Sequence, residues 1–425
     1  MLVLEGRVFF RGGLEPLAVG ITDGRIVKIA KTLEGDEHRD FGSRLILPGG
    51  VDLHVHFREP GRTDAEDFFT GTTAAAIGGV TAVFDMPNTD PPVTNRSAYE
   101  DKMRAVRRKA NVDFGLYGAL RVPRDAKTFA SLDAPGKMYM AHSAGDLEVT
   151  DAGTQREILA AVAESGTLAV VHAEDQAMIA AKPATSLRGH DQARPSEGEA
   201  SAIRILHEAA KSLTRPWRVH IAHVTSRAAL DACGATGFTT EATPHHLFLD
   251  VTKPIKSFGK VNPPLRAPED REALWQATVD GRIDVVASDH APRALEEKDA
   301  PFEAAMPGVP GVETMLPLLL RRVKAGDLPL GRFVDITARR PAEIAGLDLG
   351  IMDVGRPASL VVVDPRDVTP VRAKDLHSKC GWTPFEGFEG VFPQAVYVRG
   401  ELVAEGRSLV AERVGRPIPT RPMTA

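Results

Sequence analysis

The chain opens with short runs in which hydrophobic and polar residues alternate: LVLEGRVFF, LAVGITDGRIVKIA and RLILPGG, broken by glycines. Period-two alternation suits a strand with one buried face, and glycine supplies the tight turns between strands. The same texture returns at the far end in PASLVVVDP, AVYVRGELVAEG and SLVAERVG. The middle, about residues 50–346, reads differently. Eight short apolar runs recur there: VDLHVHF, VTAVFDM, VDFGLYGAL, KMYMAH, LAVVHAE, VHIAHVT, FTTEATP and DVVASDH. Stretches with helical character separate them, and helices are predicted over 66–77, 151–164, 197–211 and 268–279. Strand and helix in alternation predict an α/β fold, a (β/α)8 TIM-like barrel over residues 50–349. The competing arrangement is a doubly wound open sheet. Residues 1–49 together with 350–425 are expected to form one small composite β domain built from both termini. MPGVPGV, at 306–312, reads as a glycine- and proline-rich loop leading into a helix.

Composition narrows the class. The 425 residues are 43% hydrophobic and 26% charged, enough apolar material for a sizeable core. A net charge of −5 argues against a nucleic-acid binder, which carries a basic footprint. Only Cys233 and Cys380 occur, so no disulfide framework is expected and a reducing compartment fits. The start, MLVLEGRVFFRGG, carries Glu5 and Arg7 and does not read as a signal peptide. No apolar run reaches the roughly 18 residues of a membrane span. The expectation is a soluble, cytoplasmic protein.

His54 and His56 bring candidate chemistry. Residues i and i+2 of a strand share a face, so the two imidazoles project together from one strand end. That pair alone is a weak signal. His172, His223 and Asp289 each also close a short apolar run. In a barrel the C-terminal strand ends form the active face, so residues more than 200 positions apart can converge there. Four imidazoles and a carboxylate suit zinc or another borderline divalent ion. His220, three residues before His223, is expected to point to the other side of its strand.

Longer motifs are more specific: PGGVDLHVHFREPG, MPNT at 86–89, VHAED at 171–175, IAHVTS at 221–226, EATPHH at 241–246, VNPPLR at 261–266, ASDHAP at 287–292, then PGVETMLPLLL and TPFEG. On these the chain resembles, essentially end to end, the dihydroorotases of the amidohydrolase superfamily. The resemblance implies reversible cyclisation of N-carbamoyl-L-aspartate to L-dihydroorotate in pyrimidine biosynthesis. It implies two divalent ions, zinc foremost, about 3.5–4 Å apart and activating a water between them. His54, His56 and Asp289 would hold the more buried ion, and His172 and His223 the second. Asp289 would be the catalytic residue, taking a proton from the water and passing it to the leaving nitrogen. The bridging ligand has two readings. Lys137 of GKMYMAH resembles the carboxylated lysine of many relatives. Other dihydroorotases use an aspartate after this strand, and in AHSAGD that role would fall to Asp146 or His142. The loop 143–146 reads either as a lid near the substrate or as a plain surface turn.

Dihydroorotate carries a ring carboxylate that dihydrouracil lacks. Arg58, two residues past His56, shares the strand-end face and can pair with a carboxylate through two N–H groups. By resemblance it is joined in substrate binding by His56, Asn88, Asn262 and the Pro307–Gly308 backbone. One departure stands out: the family's DHAPH ends here in Arg293, which keeps a cation at that place. His245 and His246 read either as partners orienting metal ligands or as core hydrogen bonders. Two alternatives remain: another cyclic amidase (hydantoinase, dihydropyrimidinase or allantoinase), and a dihydroorotase-like scaffold partner of aspartate transcarbamoylase. The intact set of five ligand residues, His54, His56, His172, His223 and Asp289, weighs against a pure scaffold. A homodimer is expected, with aspartate transcarbamoylase as a further partner.

Overall fold

In the computed structural model, which describes residues 1–143, 145–181 and 183–420, the eight apolar runs of the middle segment are eight strands. They are Gly50–Val55, Val80–Asp85, Asp113–Leu116, Gly136–Tyr139, Leu168–His172, Arg218–Ile221, Thr239–Ala242 and Val285–Val286. Every pairing between neighbours is parallel. The two-residue strand Gly118–Ala119 carries the third strand's path onto the fourth. A parallel bridge between Val55 and His290 joins the last strand's end to the first, and the His56 N–H donates to the His290 carbonyl at 2.7 Å. The sheet therefore curls into a barrel, and the doubly wound reading falls away. Gly50–Val55 and Val80–Asp85 are buried at every position, as strands with side chains inside the barrel and others under its helices must be.

The helices follow the expected pattern, with ends set by capping. The first begins at Phe68 rather than 66, because the Asp67 side chain accepts the Thr70 N–H and so caps it. Asp151 caps Ala152–Ser165 in the same way, through the Thr154 N–H. Ser196–Lys211 and Pro268–Asp280 complete the predicted set, the latter with proline in its first turn. The 306–312 segment is a loop ahead of the helix Met315–Ala325.

Strands from both ends of the chain share one eight-stranded sheet. Its order is Ser408–Leu409, Glu401–Glu405, Pro393–Val398, Leu360–Val363, Glu37–Pro48, Leu2–Phe10, Gly13–Thr22 and Arg25–Ala30. The two ends meet where Leu360–Val363 pairs antiparallel with residues 45–48. Leu4, Val8, Ile46, Leu360, Val362 and Tyr397 pack its apolar face. The chain passes from this sheet straight into the first barrel strand. At the junction Gly49 lies so close to Thr81 that a Cβ would stand 2.4 Å from its side chain. The strand bearing His54 is thus anchored at its start. Among the described residues, no helix is long and apolar enough to cross a membrane.

Candidate metal centre and substrate pocket

The ligand candidates sit at or just beyond strand ends. His54 lies in the first strand and His56 directly after it; His172 closes the fifth. His223 and Asp289 come two and three residues after their strands have ended, and both adopt positive φ, 39° and 42°. Arg58 does too, at 61°. Residues other than glycine rarely take this conformation, and it concentrates at functional sites. It also corrects the expectation for His220. That residue is fully buried inside the barrel, its Nε2 donating to Glu241 at 3.3 Å. Alternation cannot be counted from His220 to His223, because the strand stops at Ile221 and a left-handed residue resets the facing.

The side chains converge. His54 Nε2 and His56 Nε2 lie 3.3 and 3.1 Å from one oxygen of Asp289. Lys137 Nζ is 3.5 Å from His54 Nε2. His172 Nδ1 and His223 Nε2 are 3.0 Å apart, and the His54 and His223 rings lie 5.4 Å apart between centroids. His54, His56 and Asp289 are compact enough to hold a metal ion. The donor set fits one: nitrogen and oxygen donors of the kind zinc takes, all buried. His223 Nδ1 is moreover buried without a hydrogen-bond partner among the described residues.

The far nitrogens of three imidazoles are committed elsewhere. His54 Nδ1 donates to Glu241 at 2.8 Å, His56 Nδ1 to the Asn88 carbonyl at 2.7 Å, and His172 Nε2 to Glu174 at 2.7 Å. These bonds fix each tautomer and turn the lone pair of the near nitrogen toward the shared space. Arg194 in turn holds Glu174, its Nε at 3.0 Å. Asp52 accepts the His54 and Ser288 N–H groups, each at 3.1 Å, and ties the first strand to the last. Sequence reasoning missed Glu241, Glu174 and Asp52. A signal was present for one of them: Asp52 lies two residues before His54 within the same strand, on the face shared with the ligand.

Charge and burial act against each other here. Burial would raise Asp289, but His54, His56 and His223 hold its carboxyl well below the usual range. Burial likewise opposes, and His54 and His220 outweigh it, at Glu241, which also stays ionised. Burial pushes His56 down to about 3, even with Asp289 beside it. It pushes Lys137 down to about 8 against the pull of Glu241 and Asp289.

The pocket around these groups is also lined by Arg58, Asn88, Asn262, Arg293, Pro307 and Gly308, so these candidates and the six candidate ligands above face one space. Arg58 is 7% exposed, and its Nε donates to the Pro292 carbonyl at 3.1 Å. It does not pair with its neighbours in sequence: Glu59 binds Lys109, and Glu66 binds His290 and Ser378. Arg293 Nε donates to the Pro307 carbonyl at 3.0 Å. Among the described residues neither guanidinium has a carboxylate partner. Burial, then the charge of Arg293, pushes Arg58 down to about 9. Asn262 accepts from His190 Nε2 at 2.9 Å. Gly308 has φ of 124°, and a Cβ there would stand 2.4 Å from the Ala291 carbonyl oxygen, so the pocket wall requires glycine.

His142 and Asp146 are exposed and lie outside the ligand group, the His142 side chain being 71% accessible. Ser143 lines the pocket; Ala144, inside the segment read as a lid or turn, is outside the described residues. His246 is a core hydrogen bonder, contacting the Thr243 hydroxyl at 2.7 Å and donating to the Pro263 carbonyl at 3.1 Å. It thereby holds the VNPPLR loop.

Comparison with known proteins gives the same direction. The chain is 40% identical to a dihydroorotase of Methanosarcina acetivorans, over 93% of this chain and 90% of that protein. It is 41% identical to a dihydroorotase of Halobacterium salinarum, over 91% and 93% respectively. Among solved structures, L-hydantoinase (dihydropyrimidinase) from Arthrobacter aurescens superposes with a TM-score of 0.92 at 27% identity, covering 99% of both chains. Dihydropyrimidinase from Brevibacillus agri superposes at 0.90 with 26% identity, covering 100% of this chain and 99% of that one. The amidohydrolase family model matches residues 45–403. The chain belongs to the amidohydrolase family.

Proposed function

We propose that this chain is a dihydroorotase, a metal-dependent cyclic amide hydrolase that interconverts N-carbamoyl-L-aspartate and L-dihydroorotate. The observation that carries the substrate is the pair of guanidiniums beside the ligand nest, buried Arg58 and half-buried Arg293, neither of which forms an ion pair with a carboxylate among the described residues. Both anchor Nε on a backbone carbonyl, which leaves their terminal nitrogens for an anion. A cyclic amide bearing a carboxylate matches that pocket, whereas an uncharged ring would leave the buried Arg58 and its neighbour Arg293 without an ion-pair partner.

In this reading His54, His56, Lys137, His172, His223 and Asp289 hold two divalent ions, zinc by donor type. Bound, they make water nucleophilic near neutral pH and polarise the amide carbonyl. Asp289 accepts the proton from the attacking water and returns it to the ring nitrogen as the C–N bond breaks. Arg58, Arg293, Asn88 and Asn262 hold the carboxylate end, and the Pro307–Gly308 backbone the ring amide. Lys137 would join the ligands as its carbamate, formed when the amine adds CO2 and loses a proton. Its burial and its place beside His54 support this, whereas His142 and Asp146 are exposed. Homodimerisation and association with aspartate transcarbamoylase rest on the sequence resemblance alone, and light scattering with and without the transcarbamoylase tests both.

Hydrolysis of L-dihydroorotate should be compared with that of dihydrouracil, hydantoin and allantoin, with and without a chelator. Chelator-sensitive turnover of dihydroorotate alone is expected; preference for a ring lacking the carboxylate would overturn the substrate assignment. Arg58→Met is expected to raise KM for dihydroorotate about 30-fold or more, as loss of a buried charge partner does, with metal content unchanged. An unaltered KM would remove the carboxylate role. Intact mass under native conditions should exceed the sequence mass by one CO2 plus metal, and Lys137→Arg should lack the CO2. An equal CO2 adduct on that variant would move the modification elsewhere.

A further inference from the structure

Lys298 is fully buried at the end of the short helix Leu295–Lys298, nine residues beyond Asp289. Its ammonium donates to three backbone carbonyls: Lys260 at 2.8 Å, Gly308 at 2.8 Å and Met306 at 3.2 Å. All three N–H groups of a lysine are thereby used. Among the described residues no carboxylate pairs with it. The Trp382 ring lies 5.5 Å from Nζ, and the nearby Arg293 and Lys260 are cations. Burial, and then the charges of Arg293 and Lys260, push its amine well below the usual lysine range, so the three carbonyl acceptors are what hold it here, and its position indicates what it does.

The three carbonyls belong to two loops that both line the substrate pocket. Lys260 adjoins Val261 and Asn262, and Met306 and Gly308 flank Pro307. The Gly308 N–H also donates to the Lys260 carbonyl, at 3.0 Å. Arg293 joins the same unit: its Nε holds Pro307, and its own carbonyl accepts the Trp382 indole N–H at 2.9 Å. Lys298 itself does not line the pocket. We propose that Lys298 is a positioning residue that clasps these two loops from behind, setting the spacing of Asn262, Arg293 and Gly308 and so the pocket's fit to its carboxylate-bearing substrate. The clasp is read from the geometry; only the identity of that substrate rests on the dihydroorotase assignment.

Lys298→Met keeps the length of the side chain and removes every donor. It is expected to raise KM for L-dihydroorotate about 10-fold, the scale of a small misplacement of binding groups, with kcat changed much less. Metal content by elemental analysis should equal that of the wild type, since the ligand nest is untouched. Hydrogen exchange should quicken in peptides covering 258–264 and 304–311 and nowhere in the barrel strands. Wild-type KM with wild-type exchange in both segments would overturn the clasp, as would faster exchange spread through the barrel. Lys298→Gln, which retains two N–H donors, should show the same changes in smaller measure. Failure of both variants to fold would equally overturn the proposal, because a clasp on two loops does not hold the barrel together. If the wild type does not turn over dihydroorotate, the substrate assignment fails by itself and exchange alone decides the clasp.

Discussion

Replacing Asp289 by asparagine is expected to lower kcat about 1000-fold in both reaction directions, the middle of the range for a removed general base. The carboxylate sits 3.1 and 3.3 Å from the near nitrogens of His56 and His54, and the surrounding imidazoles of His54, His56 and His223 hold it well below the usual carboxylate range despite burial. It is therefore ready to take a proton, which an amide cannot do. Asparagine is the informative choice because it tolerates the positive φ at this position, where alanine would add backbone strain. Kinetics in each direction, with metal content and a thermal melt on the same preparation, make the test. Turnover close to the wild type in a fully metal-loaded variant would sink the acid–base role.

Glu241→Gln is expected to weaken metal affinity about 10- to 100-fold, as loss of a partner behind a ligating histidine does. A single buried carboxylate here serves three groups: His54 Nδ1 at 2.8 Å, His220 Nε2 at 3.3 Å and the His223 N–H at 3.1 Å. Glutamine keeps the shape but has one acceptor oxygen, so its NH2 must face a group that also donates. Either His54 loses its fixed tautomer or His220 is left unpaired in the core, and both outcomes loosen the nest. Competition with a chelator of known affinity measures the change, and activity at limiting metal should fall with it. Unchanged metal affinity would mean that Glu241 is a core hydrogen bonder with no hold on the ligands.

The strands and helices of the barrel were legible because burial writes a local period. A strand buried on both faces is a short apolar run, and a covering helix repeats its apolar residues at 3.6. Helix starts were less exact where a cap rather than a hydrophobic residue set the boundary, as at Asp67. The ligand candidates were legible for a second local reason: they cluster at the ends of those runs. Arg58, Asn88, Asn262 and Arg293 came from motif resemblance instead, since nothing in hydrophobic pattern marks a pocket wall.

Partners distant in sequence were not legible. Glu241 is 187 residues from His54, and Ser288 is 236 from Asp52. Which side chains meet across a barrel depends on strand register and on closure, which no single strand contains. His220 shows the limit of alternation, which holds within a strand and lapses once a residue such as His223 turns left-handed. Lys298 shows it again, because its three acceptors are backbone carbonyls, and any residue type supplies those. By itself the sequence determined the order of elements, the barrel class and the residue types available for chemistry, because these follow from local periodicity and side-chain identity. Only the tertiary structure decided which nitrogens face one another, which charges stay unpaired and which carbonyls hold the pocket loops, because those depend on distances that exist only once the sheet has closed.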